Sequence, residues 1–177
     1  MFKKIGQFIF SFLLFTMVAL VQNSFIFALP PFFNQVNLVL IVAVFTLFFF
    51  DFRAAVFASV FLGFWLDIFS FNFFGLQMIV LFLAVLLAHW ILTGWLTNRS
   101  LYSFLLLMLI TTIGYNLANG FLQYLSVYNQ SNFFFNSSHF WLELAYQSFW
   151  SMLAALLMFS LAGLATRRLK PFFLEKK

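Results

Sequence analysis

Gly63 to Gly75 reads GFWLDIFSFNFFG. One carboxylate, Asp67, stands there among phenylalanine, leucine and tryptophan. A charged acid facing hydrocarbon near mid-membrane costs on the order of 3 kcal/mol. A sequence this apolar keeps such a group only where a partner meets it, so the surroundings of Asp67 decide the architecture.

The surroundings are those of a membrane protein. The chain has 177 residues, 65% hydrophobic and 7% charged, with a mean hydropathy of +1.06. Soluble domains carry roughly 25% charged residues, so this chain has too few to cover a surface facing water. At ~20 apolar residues per crossing there is room for about six helices and no soluble domain. Cysteine is absent, which excludes disulfides, thiolate metal sites and cysteine nucleophiles. The amino-terminal stretch, with Lys3 and Lys4 before a long apolar run, has no small-residue cleavage site and is expected to stay as the first span.

Polar punctuation places the spans at about Ile5–Phe27, Leu38–Phe50, Ala54–Phe71, Leu76–Leu96, Leu101–Tyr128 and Phe140–Thr166. Pro30 and Pro31 close the first, and an asparagine-rich stretch, Asn129 to His139, separates the last two. With six spans and the amino terminus inside, Lys3, Lys4, Arg53, Arg99, Arg167, Arg168, Lys170, Lys176 and Lys177 all fall on the cytoplasmic side. That is the positive-inside pattern. The net charge of +5 therefore orients the chain and does not call for nucleic acid. Residues 1–166 read as one transmembrane domain and 167–177 as a basic tail along the inner leaflet.

Helices in lipid associate through small residues and interhelical hydrogen bonds. Ala55, Ser59, Gly63 and Asp67 lie four apart on span three and form a groove ending in the acid, with Ser70 and Gly75 just beyond. This stripe is expected to be a helix-packing surface or a socket for a partner. A second set, Asn116, Asn119 and Gln123 on span five with Glu143 and Gln147 on span six, falls at a similar depth. Asp67 is fourteen residues past Arg53, ~21 Å along a helix. Spans three, five and six are accordingly expected to converge on an outer polar pocket. Spans one and two lack comparable stripes and are expected to face lipid. Asp67 itself admits two readings: a bond to a neighbouring helix or a helix end, or direct binding of a partner or ligand. Glu143 suits the dipole of the helix it opens. His89 and His139 lie at opposite faces and make no metal site. No phosphate loop, paired-histidine motif or nucleophile–base pair is present, so neither an enzyme nor a cofactor is expected.

The stretch from Phe61 to Leu87, FLGFWLDIFSFNFFGLQMIVLFLAVLL, resembles the signature of the rod-shape-determining MreD family. That signature is a helix with glycine, a few apolar residues and aspartate, then a short turn and a glycine opening the next helix. Gly63, Asp67, Ser70 and Gly75 match it, and Ser59 stands where a further glycine is common. The resemblance implies a non-enzymatic scaffold of the bacterial cytoplasmic membrane. It would act with an MreC-like single-span protein and with the peptidoglycan elongation machinery. The family is similar in fold to the substrate-binding subunits of energy-coupling-factor vitamin transporters. The alternative reading is therefore such a subunit, with a small molecule held in the outer polar cluster.

Overall fold

The structure is a computed structural model that describes residues 2–26, 36–70, 73–96, 100–126 and 138–169, with side chains placed over 12–24, 36–70, 73–96, 100–122 and 140–161. The described residues are helical, with no strand among them. The elements are α1 (Phe2–Val21), continued by a π-turn (Gln22–Ile26), then α2 (Leu38–Phe49), α3 (Phe52–Phe69), α4 (Leu76–Gly94), α5 (Leu101–Ser126) and α6 (Ser138–Leu169). Four of these, α3 to α6, contain stretches long and apolar enough to cross a membrane. Phe12–Ser24 and α2 are shorter apolar helices.

The helix boundaries follow the punctuation closely. α3 begins two residues earlier than read from sequence and stops at Phe69, with Ser70 as its carboxy-terminal cap. α6 runs on to Leu169, so the first residues assigned to the basic tail continue the helix. The remainder of that tail, from Lys170, lies outside the described residues.

Consecutive helices run in opposite directions. The end where α1, α3 and α5 finish is called the upper end below.

α2 corrects one expectation. Expected to face lipid, it is the central helix and touches α1, α3, α4, α5 and α6. Val39, Leu40, Ile41, Ala43, Val44, Thr46, Leu47 and Phe48 are buried. The physical reason is that α2 is apolar on every side. Such a helix is suited to lipid and to a packed core alike, and a bundle puts it inside. Its start is fixed by Asn37, whose side-chain oxygen accepts from the Leu40 amide at 3.0 Å. At the lower end the Phe104 and Phe159 rings lie 5.6 Å apart, and Phe159 also meets Phe48 and Phe49 at 6.4 and 5.8 Å.

α1 is peripheral, as expected. Phe12, Leu13, Met17 and Leu20 are exposed, while Phe15 and Ala19 reach the core. α6 is peripheral too. Of its apolar stretch 11% is buried, against 39% in each of α3, α4 and α5.

Candidate functional site: the Asp67 joint

The acid is almost fully enclosed, with 3% of its surface exposed. Its carboxylate reaches across to the first turn of α4. Oδ1 accepts from the Gln77 backbone amide at 2.9 Å and Oδ2 from the Met78 amide at 3.0 Å. These are among the amides at a helix start that have no partner within their own helix. Their usual partner is the side chain of the residue just before the helix. Here that residue is Gly75, which has none and adopts φ of +94°. Asp67 supplies the cap from the neighbouring helix. Its negative charge also sits at the positive end of the α4 dipole.

Gly63, one turn below Asp67, allows the approach. A Cβ there would lie 2.5 Å from Met78 Cα and 3.0 Å from Met78 N. Only a glycine lets the α4 backbone come this close. Ala55 and Ser59 continue the stripe downward and are fully buried. Ser59 returns its hydroxyl to the Val56 carbonyl at 2.9 Å, and Ser70 donates to the Asp67 carbonyl at 3.3 Å. At its Gly63–Asp67 end, then, the stripe read as a packing surface or socket is packed by α4 of the same chain.

The depth argument led us to expect Asp67 to face the amides of the fifth and sixth helices; among the described residues its hydrogen bonds go to the start of α4 instead. The turn between α3 and α4 is six residues, Ser70 to Gly75, and it folds α4 directly back onto α3. The nearest donors are consequently the free amides of α4 itself. Asn116 turns to its own helix and donates to the Thr112 carbonyl at 2.9 Å. Asn119 and Gln147 are half-buried, and Glu143 is exposed. The Gln123 side chain lies outside the described residues.

A different set of polar groups joins Asp67 at the upper end. The Gln77 side chain, on the residue whose amide Asp67 caps, accepts from the Tyr115 hydroxyl at 2.8 Å. The Asn37 side chain lies beside the same phenol. Beside Asn37, Gln22 bridges the first two helices. Its Nε2 donates to the Val36 carbonyl at 3.0 Å, and its Oε1 accepts from the Leu38 amide at 2.8 Å. Gln22, Asn37, Asp67 and Tyr115 are all buried. Hydrogen bonds at the upper end thus tie α1 to α2 through Gln22, and α3, α4 and α5 through Asp67, Gln77 and Tyr115.

Sequence reasoning missed Gln22, Asn37, Gln77 and Tyr115. Gln22 falls at the start of a π-turn, which no periodicity announces. The spacing of Gln77 two residues after Gly75 was the available signal, because it marks an uncapped helix start. At the lower end His89 is half-buried and stacks on Phe52, with ring centroids 4.1 Å apart. Among the described residues no group of three or more histidine, aspartate or glutamate side chains is placed to hold a metal.

The chemistry of the joint is that of a structural clasp. A carboxylate only accepts hydrogen bonds and offers two oxygens side by side. Two parallel amides are what it meets. Both oxygens are thereby engaged. Comparison with models of known families, with curated proteins and with solved structures finds no match for the chain.

Proposed function

We propose that the chain is a six-span scaffold of the bacterial cytoplasmic membrane, with both termini in the cytoplasm and a role of the MreD type in cell shape. It would hold membrane partners of the peptidoglycan elongation machinery, an MreC-like single-span protein among them. The observation that carries this reading is the Asp67 joint. The residues of the resemblance, Gly63, Asp67 and Gly75, meet in one place, and their chemistry is used in holding α3 to α4. A molecule whose buried charge serves its own architecture, and whose flanks are apolar, acts by presenting helices to neighbours in the membrane.

The clasp moves the proposed partner contact. The stripe around Gly63 and Asp67 is already packed, so a partner's transmembrane helix would meet a lipid-facing flank instead. Six crossings would put every cation at one face, the positive-inside pattern. Exposed aromatic side chains gather at both helix ends, Trp90, Trp95 and Tyr102 below and Phe73, Phe74 and Trp141 above, as expected of interface anchors. α4 has nineteen residues, which gives ~28 Å along its axis, close to the ~30 Å hydrocarbon thickness.

Copurification in mild detergent, paired with depletion in cells, tests the proposal. Recovery of a single-span elongation protein, and rounded cells with normal vitamin uptake, support it. A vitamin bound to the purified protein, with no such partner, would replace it by the transporter-subunit reading. Orientation is tested separately with a single cysteine at Ser131 and an impermeant thiol reagent. The chain has no other cysteine. Labelling of intact cells is expected, and labelling only after lysis would overturn the six-span arrangement.

A further inference from the structure

The central helix is enclosed on every side but one. Of the twelve residues of α2, Leu38, Val42, Phe45 and Phe49 are the four that are not buried. At ~100° per residue they share one strip roughly 60° wide. They are spaced four, three and four apart, the spacing of a seam between packed helices.

The neighbours of α2 decide where this strip looks. α1, α3, α4, α5 and α6 all touch α2, and each touches the next in that order. Among the described residues α1 and α6 are not a packed pair. The five helices therefore form an open ring around α2, with its gap between α1 and α6. Phe49 lies on the α6 side of the gap, its ring 5.8 Å from that of Phe159. Gln22 fastens α1 on the other side. Helices of equal width, with axes ~8–10 Å apart, fit about six around one. The ring holds five, and the open strip takes up about a sixth of the circumference of α2. The slot is one helix wide, and its floor is wholly apolar.

Charge narrows the choice of occupant. Lys3 and Lys4 stand in the first turn of α1, and Arg167 and Arg168 in the last turn of α6. Both walls of the slot thus end in cations at the lower end. Asp51 and Arg53, in the turn beneath α2, are both exposed and offset each other in formal charge. A second copy of this chain offering a peripheral helix, α1 or α6, would bring cations against cations. A helix that ends in carboxylates there complements them. In lipid its span needs close packing along the strip to stay.

We propose that the slot between α1 and α6 takes one transmembrane helix of another protein, apolar along its span and acidic just beyond its lower, cytoplasmic end. This places the partner contact of the scaffold reading, on which it rests for the identity of the partner.

Photocrosslinking of the full chain in its native membrane tests the slot. The photoreactive analogue p-benzoylphenylalanine replaces either Phe49 on the floor or Leu83 on the outer side of α4, residues of similar exposure at 37% and 43%. The expected result is an adduct at Phe49 whose peptides come from one transmembrane segment with an acidic cytoplasmic flank, and no protein adduct at Leu83. Adducts with lipid alone, within this chain, with a second copy, or equally at both positions overturn the proposal. Val42→Trp fills the strip and should abolish the Phe49 adduct while the protein melts as the parent does. Leu38→Trp, one turn higher, takes its place should the first variant melt early. Arg167→Gln/Arg168→Gln should lower the yield several-fold. An adduct that neither change diminishes also overturns the slot. Failure of the slot is separable from failure of the scaffold reading. An elongation protein recovered in detergent without an adduct at Phe49 sinks the slot alone. An adduct with a segment of an unrelated membrane protein keeps the slot and sinks the scaffold reading.

Discussion

Replacing Asp67 by alanine removes two hydrogen bonds and leaves two buried amides unmet. A hydrogen bond to a charged group contributes about 1.5–3 kcal/mol, whereas measured losses of helix caps run about 0.5–2 kcal/mol. The Asp67 cap joins two helices and is enclosed, so its loss should lie above the ordinary capping range, at about 2–4 kcal/mol. For a chain of this size one kcal/mol moves the melting temperature by roughly 2–4 °C, which puts Asp67→Ala some 5–15 °C below the parent protein. Asp51 provides the internal control. It precedes α3 as Asp67 serves α4, yet its exposed side chain makes no capping bond. Asp51→Ala should therefore stay within ~0.5 kcal/mol, as surface changes generally do. Asp67→Asn keeps one acceptor oxygen but turns an amide donor toward a backbone donor, and should fall between the two. The assay is thermal unfolding in mild detergent, followed by tryptophan fluorescence and by size-exclusion recovery. Equal melting temperatures for Asp67→Ala and Asp51→Ala would refute the capping argument, and with it the explanation of why the acid is there.

The remaining expectations concern the same joint. Gly63→Ala sets a Cβ against the α4 backbone and should cost about 1–3 kcal/mol through overpacking; Gly114→Ala meets only the tip of Leu87 at 3.1 Å and should be much milder, as parallel melts will show. The double variant Gly63→Ala/Asp67→Ala should lose less than the sum of the singles, because both changes open one contact. Gly75→Ala has open space around the new methyl group, but φ of +94° makes it unfavourable by roughly 1–2 kcal/mol; Gly75→Asn should recover part of that loss, and a melt of equal height for both would contradict the strain argument. Tyr115→Phe removes the bond to Gln77 and should lower stability by about 0.5–1.5 kcal/mol, read as a melting shift of a few degrees.

Much of the fold could be read from the residues. The Asp51–Arg53 break and Gly75 mark where helices end or start, because such residues interrupt the apolar pattern on which a span depends. The buried side of α3 was legible for a related reason. Ala55, Ser59 and Gly63 are small among large neighbours, and only an approaching backbone gives that pattern a use. The central place of α2 was not legible. Leu38–Phe49 contains no contrast between its sides, and a uniformly apolar helix reads the same whether lipid or protein surrounds it. Gln22 and Tyr115 were overlooked because their partners lie fourteen or more positions away, and no local spacing links them.

The acid illustrates how far a local reading carries. An ionisable residue inside a membrane is read first as a functional group, and its exact depth was estimated by counting turns from Arg53. Depth alone did not name the groups that Asp67 bonds, since it drew attention to amide side chains at the same level on α5 and α6. The turn after α3 decides the matter instead. With six residues between the helices, the uncapped start of α4 arrives beside the end of α3 before any other segment can. Gly75 must be a glycine to make the turn at φ of +94°, and a glycine cannot cap. The cap must then come from elsewhere and must reach two amides at once. Asparagine offers one carbonyl oxygen and serine one hydroxyl oxygen where a carboxylate offers two oxygens side by side, and glutamate is longer by a methylene in a contact already closed to a Cβ at Gly63. Aspartate at position 67 meets all of these conditions, so the glycine at 75, the glycine at 63 and the acid form a single requirement of the α3–α4 turn.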